Sequence, residues 1–215
     1  MSIQINIISY NYSHLLGQCL DSIFSQTKMP DVIKVIDDFS IDRHITYELC
    51  NKYNVEGIFR KENLGHVINF NTTLNETKTD KVMMLGADNY LRPDAIELMS
   101  NENADIVSSD IILVGPEANK FSNLVKGSRK YNNGYWEIKF NCNKNINNGN
   151  YIHGSSLYNV KLAKKVGGYE MSNRERPESD WMLWKKMINN GAIHLHICKC
   201  ILYYRKHKFN YIKYK

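Results

Sequence analysis

The sequence predicts an α/β fold in one domain, built on an open and mostly parallel central sheet flanked by helices. Short β-branched apolar runs alternate with helical patterns through the first half, the mark of successive βαβ units. Polar clusters follow three of those runs, and 215 residues are enough for one core, or one core with an extension. Parallel strands need crossover connections that are nearly always right-handed, so their carboxyl ends share one edge. Ligands bind at that edge in open α/β sheets.

The elements follow in order. Residues 3–8 form the first strand. Ser13 is read as the cap of the next helix, in which Leu15, Leu16, Cys19, Leu20, Ile23 and Phe24 make one apolar stripe. Further strands are expected at 32–36, 55–59 and 82–85, and a fifth at 106–107 continued by 111–114. A helix begun by Pro93 follows the fourth. Residues 132–150 hold eight Asn and two Gly in nineteen positions, which reads equally as a long binding loop or as compositional bias without a role. A strand over 155–158 leads into a short helix through Leu162 and Val166 that stops at Gly167 and Gly168. Pro177 suits the start of the last helix and Gly191 its exit.

Composition bounds the rest. No apolar run approaches the ~20 residues of a membrane-spanning helix, and the opening lacks the basic flank and long apolar stretch of a secretory signal. Five cysteines, at 19, 50, 142, 198 and 200, are odd in number and contain no C-x-x-C, which favours reduced thiols and a cytoplasmic location. Lys and Arg number 28 against 22 Asp and Glu, and the net +6 is accounted for by six basic residues between His196 and Lys215. Tyr203, Tyr204, Phe209, Tyr211 and Tyr214 interleave them. A solvated terminus explains that pattern, as does peripheral contact with an anionic membrane at the inner face of the plasma membrane; nucleic acid does not fit, because no such motif occurs elsewhere.

At the shared edge stand Ser9, Tyr10 and Asn11 after the first run, Asp37 and Asp38 after the second, and Gly86, Ala87, Asp88 and Asn89 after the fourth. Asn and Asp are ordinary turn formers, yet their repetition at one edge points to a site. At 100° per residue Asp180 falls in the arc of Trp181, Leu183, Trp184, Met187 and Ile188, opposite Glu178, Lys185, Lys186 and Asn189. A carboxylate on an apolar stripe must be paired, bound to a metal or lining a cavity. His194, His196, Cys198 and Cys200 alternate along a strand and have zinc-ligand chemistry, although neighbouring strand positions seldom supply four ligands to one ion. His153 could touch an acceptor or be a satisfied structural histidine.

The series SYN (9–11), IDDFS with Asp42 (36–42), ENLGHVINFN (62–71), LGADNYLRPD (85–94), GSSLYNVKLAKKVGGY (154–169), ESDW (178–181) and YYRKH (203–207) resembles the family 2 glycosyltransferases in order and spacing over nearly the whole chain. The resemblance implies the GT-A fold, a nucleotide-diphosphate sugar donor, Mg²⁺ or Mn²⁺, and inversion at the anomeric centre. It implies that Ser9, Tyr10, Asn11 and Asp38 hold the nucleotide, with Asp38 at the base, and that Asn63, Gly65 and Asn71 border the donor. The family's Asp-x-Asp stands here as Gly86-Ala87-Asp88, so Asp88 alone carries the metal and donor role over. The catalytic base of the family belongs to a Glu-Asp pair that here reads Ser179-Asp180, which makes Asp180 the base. His207 matches a position that approaches the metal or diphosphate in some relatives. The corresponding organisation is a nucleotide-sugar half at 1–110, an acceptor and base half at 111–200, and a basic aromatic tail at 201–215. The expected activity moves a sugar to a saccharide or lipid-linked saccharide hydroxyl in surface-polysaccharide assembly. A noncatalytic nucleotide-sugar module is the alternative; a nucleotidyltransferase would need a basic Gly-rich phosphate loop that is absent.

Overall fold

A computed structural model describes residues 1–122, 129–130, 135–141, 145–170 and 179–207, without the side chains of 121 and 122. The expectations for Cys142, Pro177, Glu178 and the tail from 208 onward lie outside the described residues. The elements run β1 (Ile3–Ser9), α1 (Ser13–Phe24), β2 (Val32–Asp37), α2 (Arg43–Tyr53), β3 (Glu56–Phe59), α3 (His66–Glu76), β4 (Lys81–Gly86), β5 (Tyr90–Leu91), α4 (Ala95–Ser100), β6 (Ile106–Val114), α5 (Ala118–Ser122), β7 (Arg129–Lys130), β8 (Trp136–Ile138), β9 (Leu157–Asn159), α6 (Val160–Lys165), α7 (Ser179–Asn189) and β10 (His194–Arg205).

The described strands form one sheet in the order β3-β2-β1-β4-β9-β6-β10-β5, with β8 also on β6 and β7 on β8. β1 pairs in parallel with β2 and β4, and β2 with β3, as the βαβ pattern predicts. β6 and β10 are parallel too, but β5, β7, β8 and β9 are antiparallel, so the sheet is mixed beyond β4. β9 matters most. It lies between β4 and β6, with Leu157 opposite both Met83 and Val107, so residues 153–156 emerge at the carboxyl end of β4.

Apolar clusters cover both faces. One packs Leu16, Cys19, Leu20 and Ile23 of α1 and Ala95, Ile96 and Met99 of α4 against the sheet. Leu74 of α3, Val160 and Ala163 of α6, and Trp181, Leu183, Trp184 and Met187 of α7 fill another. Trp181 and Trp184 are among the largest fully buried side chains. Truncating such a residue to Ala costs about 3–5 kcal/mol. Their indole N–H groups donate to the carbonyls of Ile146 (2.7 Å) and Ile152 (3.1 Å), which fixes the rotation of α7 and ties it to part of the Asn-rich segment.

Three local expectations change. Ser13 does not cap α1; Tyr12 precedes the helix without a side-chain cap bond, and the Ser13 hydroxyl donates to the Asp42 carboxylate instead. The helix expected from Pro93 starts at Ala95, after Asp94. β10 continues through Arg205, so residues 201–205 belong to the sheet rather than to a tail. Register shifts after Ile197 also break the alternation of His194, His196, Cys198 and Cys200. The two histidines bond the Ser108 hydroxyl, at 2.8 Å and 2.9 Å, and His196 reaches Asp110 at 3.0 Å. This is a buried polar chain on the sheet. Among the described residues no group of three His, Cys, Asp or Glu could hold a metal ion.

Candidate active site at the carboxyl edge of the sheet

The carboxyl ends of β1, β2 and β4 place Ser9, Asp38 and Asp88 along one edge. Ser9 is fully buried; its carbonyl accepts the Asp38 N–H at 2.9 Å, and its hydroxyl has no hydrogen-bond partner among the described residues. Tyr10 is exposed. Asn11 adopts φ 59°, receives the Ile41 N–H on its side-chain oxygen, and donates its own N–H to the Ser40 hydroxyl. Left-handed backbone is tolerated by Asn better than by most residues, so the β1 exit is locked to the β2 exit.

Asp38 is buried and accepts the N–H groups of Leu64 (3.0 Å) and Gly65 (3.1 Å), while its carbonyl accepts the Asn63 amide at 3.1 Å. Burial pushes its carboxyl above the ordinary range; the two N–H donors and Arg60 pull the other way. The structure therefore brings Asp38, Asn63 and Gly65 together. Gly65, at φ +72°, sets the turn into α3. Asn71 is occupied elsewhere: its amide donates to the Tyr169 carbonyl (2.8 Å) and accepts the Tyr169 N–H (2.7 Å).

Asp88 and His207 meet. His207 Nε2 lies 3.3 Å from Asp88 Oδ2, and its ring packs edge-on against Tyr12 at 5.3 Å. Burial raises the Asp88 carboxyl, with His207 opposing, and burial together with Asp88 pushes the Tyr12 phenol up to about 12. Arg205 Nε donates to the Asp88 carbonyl at 2.9 Å. A β-carbon on Gly86 would stand 2.7 Å from Asp88 Oδ1 and 2.9 Å from Asn89 Nδ2. Asp88 thus occupies the space a longer residue at 86 would claim. One carboxylate and one imidazole fit a hard divalent cation that takes its other ligands from phosphate and water.

Asp180 reaches the same edge through β9. Residues 153–156 run past the end of β4, and a β-carbon on Gly154 would lie 3.3 Å from Asp180 Oδ2. Asp180 Oδ1 accepts the Trp181 N–H at 2.7 Å and faces the Asn150 amide at 3.4 Å. The carboxylate is only partly buried, although Ser179 and Trp181 on either side of it are each 1% exposed, so it lies at the margin of the stripe rather than inside it.

Several site-adjacent residues were given no role by the sequence reading, although Ser179 and Gly154 stand in its motifs. Ser179 is 1% exposed and lies 2.5 Å from His66 Nε2. Gly154 and Asn150 border Asp180, and Tyr12 orients His207. Only Gly154 had a signal, as a glycine before a strand. His153 is buried, with Nε2 3.1 Å from the Ser109 hydroxyl, so it anchors the 153–156 turn.

Known proteins share the family and the fold of this chain. The chain is 26% identical over 208 residues to the uncharacterized glycosyltransferase YwdF of Bacillus subtilis (strain 168), covering 94% of this chain and 74% of the relative. A 104-residue stretch, 46% of this chain and 11% of the relative, is 31% identical to a chondroitin synthase of Pasteurella multocida (strain Pm70). The fold superposes on S. aureus TarS 1-349 in complex with UDP-GlcNAc with a TM-score of 0.69 at 17% identity, over 98% of this chain and 60% of that one. For the mannosyltransferase PcManGT from Pyrobaculum calidifontis, in complex with GDP-Man and Mn2+, the TM-score is 0.66 at 15% identity, over 97% and 58%. The chain spans about three fifths of these solved structures. The fold is GT-A. With "Glycosyl transferase family 2" matching residues 5–167, the chain belongs to the family 2 glycosyltransferases.

Proposed function

We propose that the chain transfers a sugar from a nucleotide-diphosphate donor to a hydroxyl of a saccharide or lipid-linked saccharide, with inversion, in surface-polysaccharide assembly. The observation that carries the reading is the convergence of Asp38, Asp88 with His207, and Asp180 on one sheet edge. Ser9, Tyr10, Asn11, Asp38, Asn63 and Gly65 bind the nucleotide side, with Asn71 supporting from behind through Tyr169.

The acceptor oxygen attacks the anomeric carbon, the bond from that carbon to the diphosphate breaks, and its electron pair leaves with the diphosphate. Asp180 takes the hydroxyl proton, a contribution of ~10²- to 10⁴-fold. Asp88 and His207 would hold Mg²⁺ or Mn²⁺, which supplies Lewis-acid stabilisation of the leaving diphosphate. Arg205, fixed on the Asp88 carbonyl, adds positive charge beside it.

UDP-GlcNAc and GDP-Man, bound by the structural neighbours, head the donors to try. The test is a donor and acceptor array with Mn²⁺ read by mass spectrometry. A glycosylated product from one donor class supports transfer; nucleotide binding without any product supports the second reading, a noncatalytic nucleotide-sugar module, which Gly86 in place of a carboxylate favours.

A further inference from the structure

Resting on the reading of Asp180 as the base, the geometry points to His66 as a positioning residue that holds Asp180 in place through Ser179. His66 is the first residue of α3, and Ser179 the first of α7, 113 positions later. Their 2.5 Å contact joins the starts of two helices that otherwise face different parts of the site. On the α3 side, Asp38 grips the N–H groups of Leu64 and Gly65 immediately before His66. On the α7 side, Asp180 directly follows Ser179, and its carboxylate is held by Trp181 N–H and flanked by Gly154. A continuous path therefore runs from the nucleotide-side carboxylate to the base.

The side chains at both ends suit the task. The His66 ring packs 4.2 Å from Phe70, which meets Tyr169 edge-on at 5.1 Å, so the imidazole cannot swing without disturbing packing. Burial lowers its pKa to about 4, keeping it neutral, and a neutral ring nitrogen matches a serine hydroxyl. A glutamate at 179, the family's usual partner of the base, would bring a carboxylate into a position 1% exposed beside an uncharged ring. Desolvating a charge at so buried a position is costly unless it is paired, a cost that the neutral Ser179 hydroxyl does not incur. Ser179 and His66 form a matched pair in this chain.

The test is a mutant cycle on nucleotide release from UDP-GlcNAc or GDP-Man with Mn²⁺, whichever is turned over, in the wild type, H66A, D180N and the double variant. A displacement of the base on the ångström scale costs ~10- to 100-fold. We expect H66A to lower kcat by that factor with donor KM within about twofold, and to cost less than about twofold in the D180N background. H66Q, which retains a side-chain amide able to bond Ser179, should recover most of the loss, and S179A should match H66A; both serve if H66A fails to fold. An equal loss in both backgrounds, or no loss in H66A, overturns the inference. Full activity of D180N alone would instead remove the underlying reading of the base, and this inference with it.

Discussion

Replacing Gly154 with Ala adds a single carbon beside Asp180. Built on the existing backbone, that carbon lies 3.3 Å from Oδ2, 3.7 Å from Cβ and 3.8 Å from Cγ of Asp180, so only the carboxylate oxygen is crowded. Gly154 is absent from the positive-φ glycines, so its backbone suits an L-residue, and the substitution slightly stiffens the unfolded chain, worth about 0.4–1 kcal/mol in favour of folding. Stability should stay within about 1 kcal/mol. The carboxylate must yield by a few tenths of an ångström, turning against its 2.7 Å bond from the Trp181 N–H. If a full ångström costs ~100-fold, this shift costs ~3- to 10-fold in kcat. The assay is initial-rate transfer at saturating donor and acceptor, alongside nucleotide binding by calorimetry. Unchanged kcat in a folded G154A enzyme with normal nucleotide affinity would refute Asp180 as the proton acceptor.

Other consequences follow from the same geometry. Gly168→Ala meets Asn71 Oδ1 head-on at φ +67°, so left-handed strain and the displaced Asn71–Tyr169 pair together cost about 3 kcal/mol, read as a melting point lower by about 6–12 °C; a shift under 2 °C would contradict it. Asp88→Ala should abolish the extra thermal stabilisation that Mn²⁺ gives in the presence of UDP or GDP, worth about 2.7 kcal/mol at a hundredfold excess over Kd, and persistence of that increment would move the cation site elsewhere. Burial lowers His153 to about 3, and His66 and His194 to about 4, from 6.5. The unfolded chain then binds protons that the native one refuses: stability is complete above pH 6.5 and declines as pH falls toward those values. His153 alone contributes a slope of about 1.4 kcal/mol per pH unit. Urea midpoints at pH 7.5, 6 and 5 should fall in that order; a flat series would mean these imidazoles are solvated.

The first four strands were legible because each is a short, largely apolar run, three of them followed by polar clusters, and local pattern alone decides such elements. The direction of β9 was not. Leu157, Tyr158 and Asn159 carry no mark of antiparallel pairing, which is set by where β4 and β6 leave room. Asp180 was legible by periodicity as a residue on the α7 stripe, but periodicity does not resolve the margin of the stripe, where its carboxylate is only partly buried between Ser179 and Trp181. The family resemblance supplied Asp88 and His207, and the structure sets them 3.3 Å apart because β10 continues past the expected start of a tail. Ser13 shows the reverse. A capping serine is a sound local inference, overridden here by the tertiary partner Asp42. No spacing rule could find His66 and Ser179, since their meeting depends on two distant helix starts converging.

The Asp180→Asn substitution tests the account most directly. It keeps the side chain's shape and an oxygen able to accept the Trp181 N–H, while removing the capacity to take a proton. At saturating donor and acceptor, transfer should fall by ~10²- to 10⁴-fold with nucleotide affinity unchanged. Transfer within twofold of the wild type would contradict it.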